Sequence, residues 1–130
     1  MTTINAAASF AVPGGPTLAL NSAIAAEAYD KLDVAIAPGD DDKVVNLQPG
    51  AAAQLRLLVI KSSLYGSELT YAASDGSDDS DAVTLDGPQV FIGPGAIALF
   101  GVDPKVLKFS NTHASQTAQV EILVGRDATP

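Results

Sequence analysis

Carboxylates are the first side chains in this 130-residue chain that could do chemistry. They gather in the stretch Ser74-Asp75-Gly76-Ser77-Asp78-Asp79-Ser80-Asp81, and a second group, Asp40-Asp41-Asp42, precedes it. Calcium takes several hard oxygens from a flexible loop, so Asp75, Asp78, Asp79 and Asp81 are the metal candidates, with Asp40-Asp41-Asp42 able to add donors if the loops meet. Counting Asp75 as the first ligand puts Ser77, Asp79 and Asp81 at alternate positions and Asp86 at the twelfth. The pattern departs from an EF-hand in lacking a Gly at the sixth position and a terminal Glu, and in having strand-like flanks. A solvated hairpin tip is the favoured reading, and no metal is assigned.

His113 is the only histidine. A catalytic imidazole needs a nucleophile or an orienting carboxylate beside it, and no Gly-x-Ser-x-Gly elbow occurs. His113 is expected in an exposed loop, and no catalytic residue is assigned. Paired carboxylates for glycoside chemistry could be drawn from the fifteen acids, but the chain has no Trp and 5% aromatic residues, too few for a sugar cleft. No Gly-x-x-x-x-Gly-Lys cradle is present, so the glycines and prolines read as turn chemistry and no cofactor is expected. Arg56 and Lys61 flank the most apolar stretch, where a cation pairs with an acid across a sheet, sits at an interface, or blunts an edge.

The elements that must carry these residues read as strands. Leu32, Val34 and Ile36 alternate with Asp33 and Ala35, and Val120, Ile122 and Val124 alternate with Glu121 and Leu123. Period-two alternation sends successive side chains to opposite faces of a pleat. The expected strands are 29–37, 43–47, 54–62, 68–73, 82–85, 89–92, 96–100, 106–110 and 117–124. They are separated by Pro-Gly, Asp-Gly and Gly-Pro-Gly punctuation. About nine short strands in roughly a hundred residues argue for an all-β, antiparallel β-sandwich, jelly-roll-like, with immunoglobulin-like order still open. The expected core comprises Leu32, Val34, Ile36, Leu47, Leu57, Val59, Leu69, Val83, Leu85, Val90, Ile97, Leu99, Leu107, Phe109, Val120, Ile122 and Val124. Residues 54–62, apolar almost throughout, fit a central strand covered on both faces.

The expected organisation is an extended arm over residues 1–17, a sandwich domain over 18–125 and a loose tail over 126–130. The arm is interrupted by Pro13-Gly14-Gly15-Pro16 and is either a floppy tail or held by a neighbouring subunit. Residues 18–28 are ambiguous between a short capped helix and an edge strand, with strand preferred. The N-terminus lacks a basic region and does not read as a signal peptide.

Cysteine is absent, which removes disulfides, thiolate metal sites and cysteine nucleophiles. Seven Lys+Arg against fifteen Asp+Glu give a net charge of −8, with the cations scattered. Nucleic acid and anionic membrane both require a basic surface, so neither is an expected partner. No stretch approaches the about 18 apolar residues of a membrane span.

From Ala35 onward the chain resembles small β-sandwich accessory proteins of tailed-phage virions, the decoration type. The similarity lies in the Asn46-Leu47-Gln48-Pro49-Gly50 turn, the Leu-Val-Ile strand leading to Ser62-Ser63, and Leu69-Thr70-Tyr71. It continues through the Leu85-Asp86-Gly87-Pro88 and Gly93-Pro94-Gly95 turns, Leu107-Lys108-Phe109-Ser110-Asn111, and the closing Val-x-Ile-Leu-Val-Gly strand. The resemblance implies a structural virion protein, assembled in the host cytoplasm. It would act without enzymatic activity, stabilising a particle by docking on capsid or tail protein, as a homo-oligomer and by analogy a trimer. Two other readings stand beside it: an extracellular binding module for carbohydrate or protein, calcium-assisted through the acidic loop, and a self-assembling filament or surface subunit that donates residues 1–17 as a strand.

Overall fold

The computed structural model describes residues 2–47 and 52–127. Among the described residues, ten strands form three antiparallel sheets, and strands β1 (Thr2–Ala11) and β2 (Thr17–Ala26) pair only with each other. The remaining strands are β3 (Ala28–Ile36), β4 (Lys43–Asn46), β5 (Leu55–Ser62), β6 (Leu69–Ser74), β7 (Val83–Thr84), β8 (Gln89–Ile92), β9 (Val106–Asn111) and β10 (Ala118–Arg126). They build two four-stranded sheets in the orders β3-β10-β5-β8 and β4-β9-β6-β7.

The pairings are nested. β3 lies beside β10, β4 beside β9, β5 beside β8 and β6 beside β7. The chain from Ala28 to Arg126 is thus one long doubled-back ribbon, with β6 and β7 at its far end, rolled into two layers. This is the jelly-roll order, and it makes the expected all-β sandwich concrete.

Alternation decides which side chains enter the core. Leu58 and Ile60 of β5, Val120, Ile122 and Val124 of β10, and Leu107 and Phe109 of β9 are all buried between the layers. Tyr71 packs against Phe109 at 5.4 Å between ring centroids, and its hydroxyl donates to Gln89 Oε1 at 2.5 Å. That bond provides the partner a buried phenol requires, while burial pushes the Tyr71 phenol up from its ordinary pKa.

Four parts of the sequence reading are corrected. Residues 96–100 are helical: helix α1 (Pro94–Ile97) continues into a 3₁₀ turn, Ala98–Phe100. Pro94 starts the helix, where a missing N–H costs nothing. Gly101 ends it with φ 78°, a left-handed conformation that suits glycine. Ile97 is buried as expected, but Leu99 is 83% exposed. Val59 and Val90 point to the outer face of their sheet, opposite the core, and Val90 is exposed. Leu57 is buried on that same outer face, outside the main core cluster. Arg126 completes β10, and Asp127 is held by Arg56, so this part of the expected tail is anchored. Residues 128–130 and the Gln48-Pro49-Gly50 turn lie outside the described residues.

Candidate docking surface

The hairpin β1–β2 owes its shape to four residues. Pro13 and Gly14 occupy the middle of a turn in which Gly15 N–H donates to Val12 O at 2.7 Å. Proline pre-sets the first central position, and Gly14, with φ 74°, takes the second, where a side chain would be strained. Pro16 has no N–H to return to Val12, but its carbonyl accepts the Val12 N–H at 3.0 Å.

The register opposes Ile4 to Ile24, Ala6 to Ser22, Ala8 to Leu20 and Phe10 to Leu18, all on one face. The opposite face carries Thr3, Asn5, Ala7 and Ser9 against Ala25, Ala23, Asn21 and Ala19. The hairpin is therefore amphipathic, and burial along its apolar face is graded. Ala26 and Ile24 at the base are buried, Ile4 and Ala6 are half-buried, and Phe10, Leu18 and Leu20 towards the tip are exposed. The base is seated on the outer face of the β3-β10-β5-β8 sheet. There, a Cβ on Gly125 would come within 2.9 Å of Ile4 Cδ1, and Leu57 and Ala26 stand 3.6 Å away. Glycine at 125 leaves room for Ile4, and the hairpin base in turn buries Leu57.

Beyond the base, the hairpin and the sheet separate to leave an apolar cleft of about 340 Å³. Ala8, Phe10 and Leu20 line the hairpin side; Val59, Val90 and Ile92 line the sheet side. Residues 2–26 contain no ionisable side chain, and all 22 charged residues lie from Glu27 onward. The outer face also carries a charge lattice. Lys31 contacts both Asp33 and Glu121, and Lys61 reaches Glu121 at 3.5 Å. The Glu121 carboxyl is held below its usual range by the Lys31 hydrogen bond.

The acidic loop folds on itself. Asp75 Oδ1 accepts from the N–H groups of Ser77 at 2.8 Å and Asp78 at 2.7 Å, which holds its carboxyl low, with Asp78 the larger cause. Asp79 pairs with Ser74 as an isolated bridge and accepts from Lys108 Nζ at 3.1 Å. Its carboxyl is lowered first by the Ser74 hydroxyl and then by Lys108. The Ser80 hydroxyl, which accepts from Ala73 N–H, donates to the Asp81 carbonyl. Asp78 and Asp75 share a shallow cleft with Asp103. Asp40 and Asp41 are drawn instead towards the β3 end and Ser110, where Asp40 Oδ2 accepts from Ala37 N–H and Asp41 Oδ1 from the Ser110 hydroxyl. Among the described residues, no three carboxylate or imidazole groups converge as a metal site.

His113 is half-buried and closes its own loop: Nδ1 accepts from Ser115 and Gln116 N–H at 3.3 and 3.2 Å, and its backbone N–H donates to Asn111 Oδ1. Arg56 clasps Asp127 through Nε and a terminal nitrogen, beside the hairpin base.

Two features went unread in the sequence. Asn111 is fully buried, and its amide donates to Ile36 O and Gln116 O at 3.0 and 2.9 Å, joining the ends of two strands from different sheets. The hairpin was divided between an arm and an ambiguous segment. The clue was the apolar alternation Ile4, Ala6, Ala8, Phe10 mirrored by Leu18, Leu20, Ser22, Ile24 across a Pro-Gly-Gly-Pro turn.

No protein-family model matches this chain, and neither the curated proteins nor the solved structures yield a match.

Proposed function

We propose that this chain is a structural subunit that works by docking, a decoration-type accessory protein that stabilises an assembled viral particle. The observation that carries the reading is the charge-free hairpin, whose Phe10, Val12 and Leu18 are each more than half exposed although the sandwich has a buried core of its own. An exposed, uncharged, apolar β-hairpin without Lys or Pro along its edges is what a free soluble domain ordinarily avoids. It suits a surface that becomes buried on assembly. The pattern resemblance to tailed-phage accessory proteins directs the docking towards a virion shell or tail. The jelly roll itself is neutral on this point, since capsid proteins, lectins and cupins share it and function resides in the site.

Docking across subunit boundaries adds contacts that exist only in the assembled state and stabilises that state by mass action. The test is saturable co-sedimentation of the purified protein with particles assembled without it, together with their melting temperature. Binding with a raised particle melting temperature supports the reading. Absence of binding to both head and tail assemblies overturns it.

A further inference from the structure

We infer that the apolar cleft between hairpin and sheet is a binding site for a medium-chain fatty carboxylate, with the alkyl chain inside the cleft and the carboxylate on Lys61. The site is separate from the docking reading and does not rest on it. Volume, lining, length and charge each point to this class of ligand.

The cleft holds about 340 Å³. That lies at the lower end of small-molecule sites, about 300–1,000 Å³. It is more than twice the roughly 150 Å³ of an apolar cavity that takes up benzene. At about 30 Å³ of liquid volume per unit, the figure for water, there is room for roughly eleven methylene-sized groups. Among the described residues that line it, Asn5 and Ser22 have polar side chains and none is ionisable. Water in such a space finds few hydrogen-bond partners, so an alkyl chain displaces it favourably.

The sheet register gives the ligand a direction. Leu57, Val59 and Lys61 of β5 alternate with core residues and share the outer face. Leu57 lies at the closed end, beside Gly125 and the hairpin base. In the next row Val59 stands between Leu123 and Val90, and the row after that sets Lys61 opposite Glu121. The four-residue step from Leu57 to Lys61 spans about 14 Å. An extended ten-carbon chain spans about 12 Å, at about 1.3 Å per bond along its axis. A chain whose tail reaches Leu57 thus brings its head to Lys61.

Lys61 is placed to receive that head. Its side chain is 62% exposed and reaches Glu121 at 3.5 Å, whereas Lys31 holds the same carboxyl at 3.1 Å. Lys31 is also the first cause of the low Glu121 carboxyl, with Lys61 a lesser one. An incoming carboxylate takes Lys61 while Glu121 keeps Lys31.

The test is isothermal titration calorimetry on the full chain, with ligands below their micelle concentrations. Hexanoate, octanoate and decanoate should bind at one site per chain, each added methylene raising affinity about fourfold. The gain should stop near about twelve carbons, where the cleft is full. Lys61→Met keeps the apolar stem and removes the charge. It should weaken octanoate about fivefold and leave 1-octanol unchanged. Ala8→Trp fills the cleft from the hairpin and Val90→Trp from the sheet, both at exposed positions. Either variant that keeps the wild-type circular dichroism should lose binding of every ligand.

Absence of saturable decanoate binding to wild type overturns the inference, as does an affinity that does not rise with chain length. Binding that a folded tryptophan variant leaves intact places the ligand elsewhere and overturns it too. So does 1-octanol bound as tightly as octanoate, or octanoate bound equally by Lys61→Met and wild type.

Discussion

Asn111 ties three backbone groups together from inside the fold. It is fully buried, and its amide satisfies the Ile36 and Gln116 carbonyls and the His113 N–H together. Removing one partner of a buried hydrogen bond leaves the other to bear its desolvation cost. Asn111→Ala is therefore expected to lower unfolding stability by about 2–3 kcal/mol in urea denaturation, and a loss near zero would show that water replaces the amide freely. Asp79 gives a prediction with a defined pH sign. Its carboxyl is lowered in the folded state by Ser74 and Lys108, so its contribution is fully present above the unfolded value, about 3.9, and disappears as pH falls through the folded one. Asp79→Asn should be less stable than wild type at pH 7, and the gap in urea midpoint should close on acidification below about pH 4. A gap independent of pH would place the Asn effect elsewhere. Calcium tests the loop as a whole: with Asp75 and Asp79 already holding backbone, hydroxyl and lysine donors, millimolar calcium should leave the melting temperature within about 1 °C. A larger rise reversed by chelator would restore the metal reading.

At the scale of elements, the strands with strict alternation were legible because one buried face imposes a period of two. Eight of the nine expected strands are present in the sandwich, from β3 through β10. Residues 96–100 misled because Ala96-Ile97-Ala98-Leu99-Phe100 satisfies a strand pattern and a short buried helix equally, and only the Gly93-Pro94 start and Gly101 end favour the helix. Val90 was assigned inward because alternation tells two faces apart without saying which is the core. The candidate site was the least legible part, because Ile4, Phe10, Leu18 and Ile24 acquire meaning only once the register of β1 and β2 is known. Gly125 tests how the hairpin is seated. Gly125→Ala meets only the far end of the Ile4 side chain and should be tolerated, whereas Gly125→Val should lift the hairpin base and expose Leu57. Limited proteolysis within residues 2–26 should accelerate for the valine variant alone; equal rates would mean that the base is held by something other than this contact.

For the whole molecule, the nested ribbon separates labour. Residues 28–126 bury a continuous core, and the hairpin ahead of it is left neutral on a chain whose net charge is −8. The nesting places β3 beside β10, the two ends of the sandwich sequence, so little can be stabilised before distant segments meet. Refolding from urea should accordingly be slow, on a timescale of milliseconds to seconds or longer. Microsecond refolding would argue for a more local route. The central claim is that the hairpin tip is covered by protein in the working assembly. Amide hydrogen exchange over residues 8–20, compared between the dilute free chain and the chain on its particle, tests it most directly. The account predicts rapid exchange at the tip when free and strong protection when assembled, while the sandwich strands change little. Equal exchange at the tip in both states would contradict it.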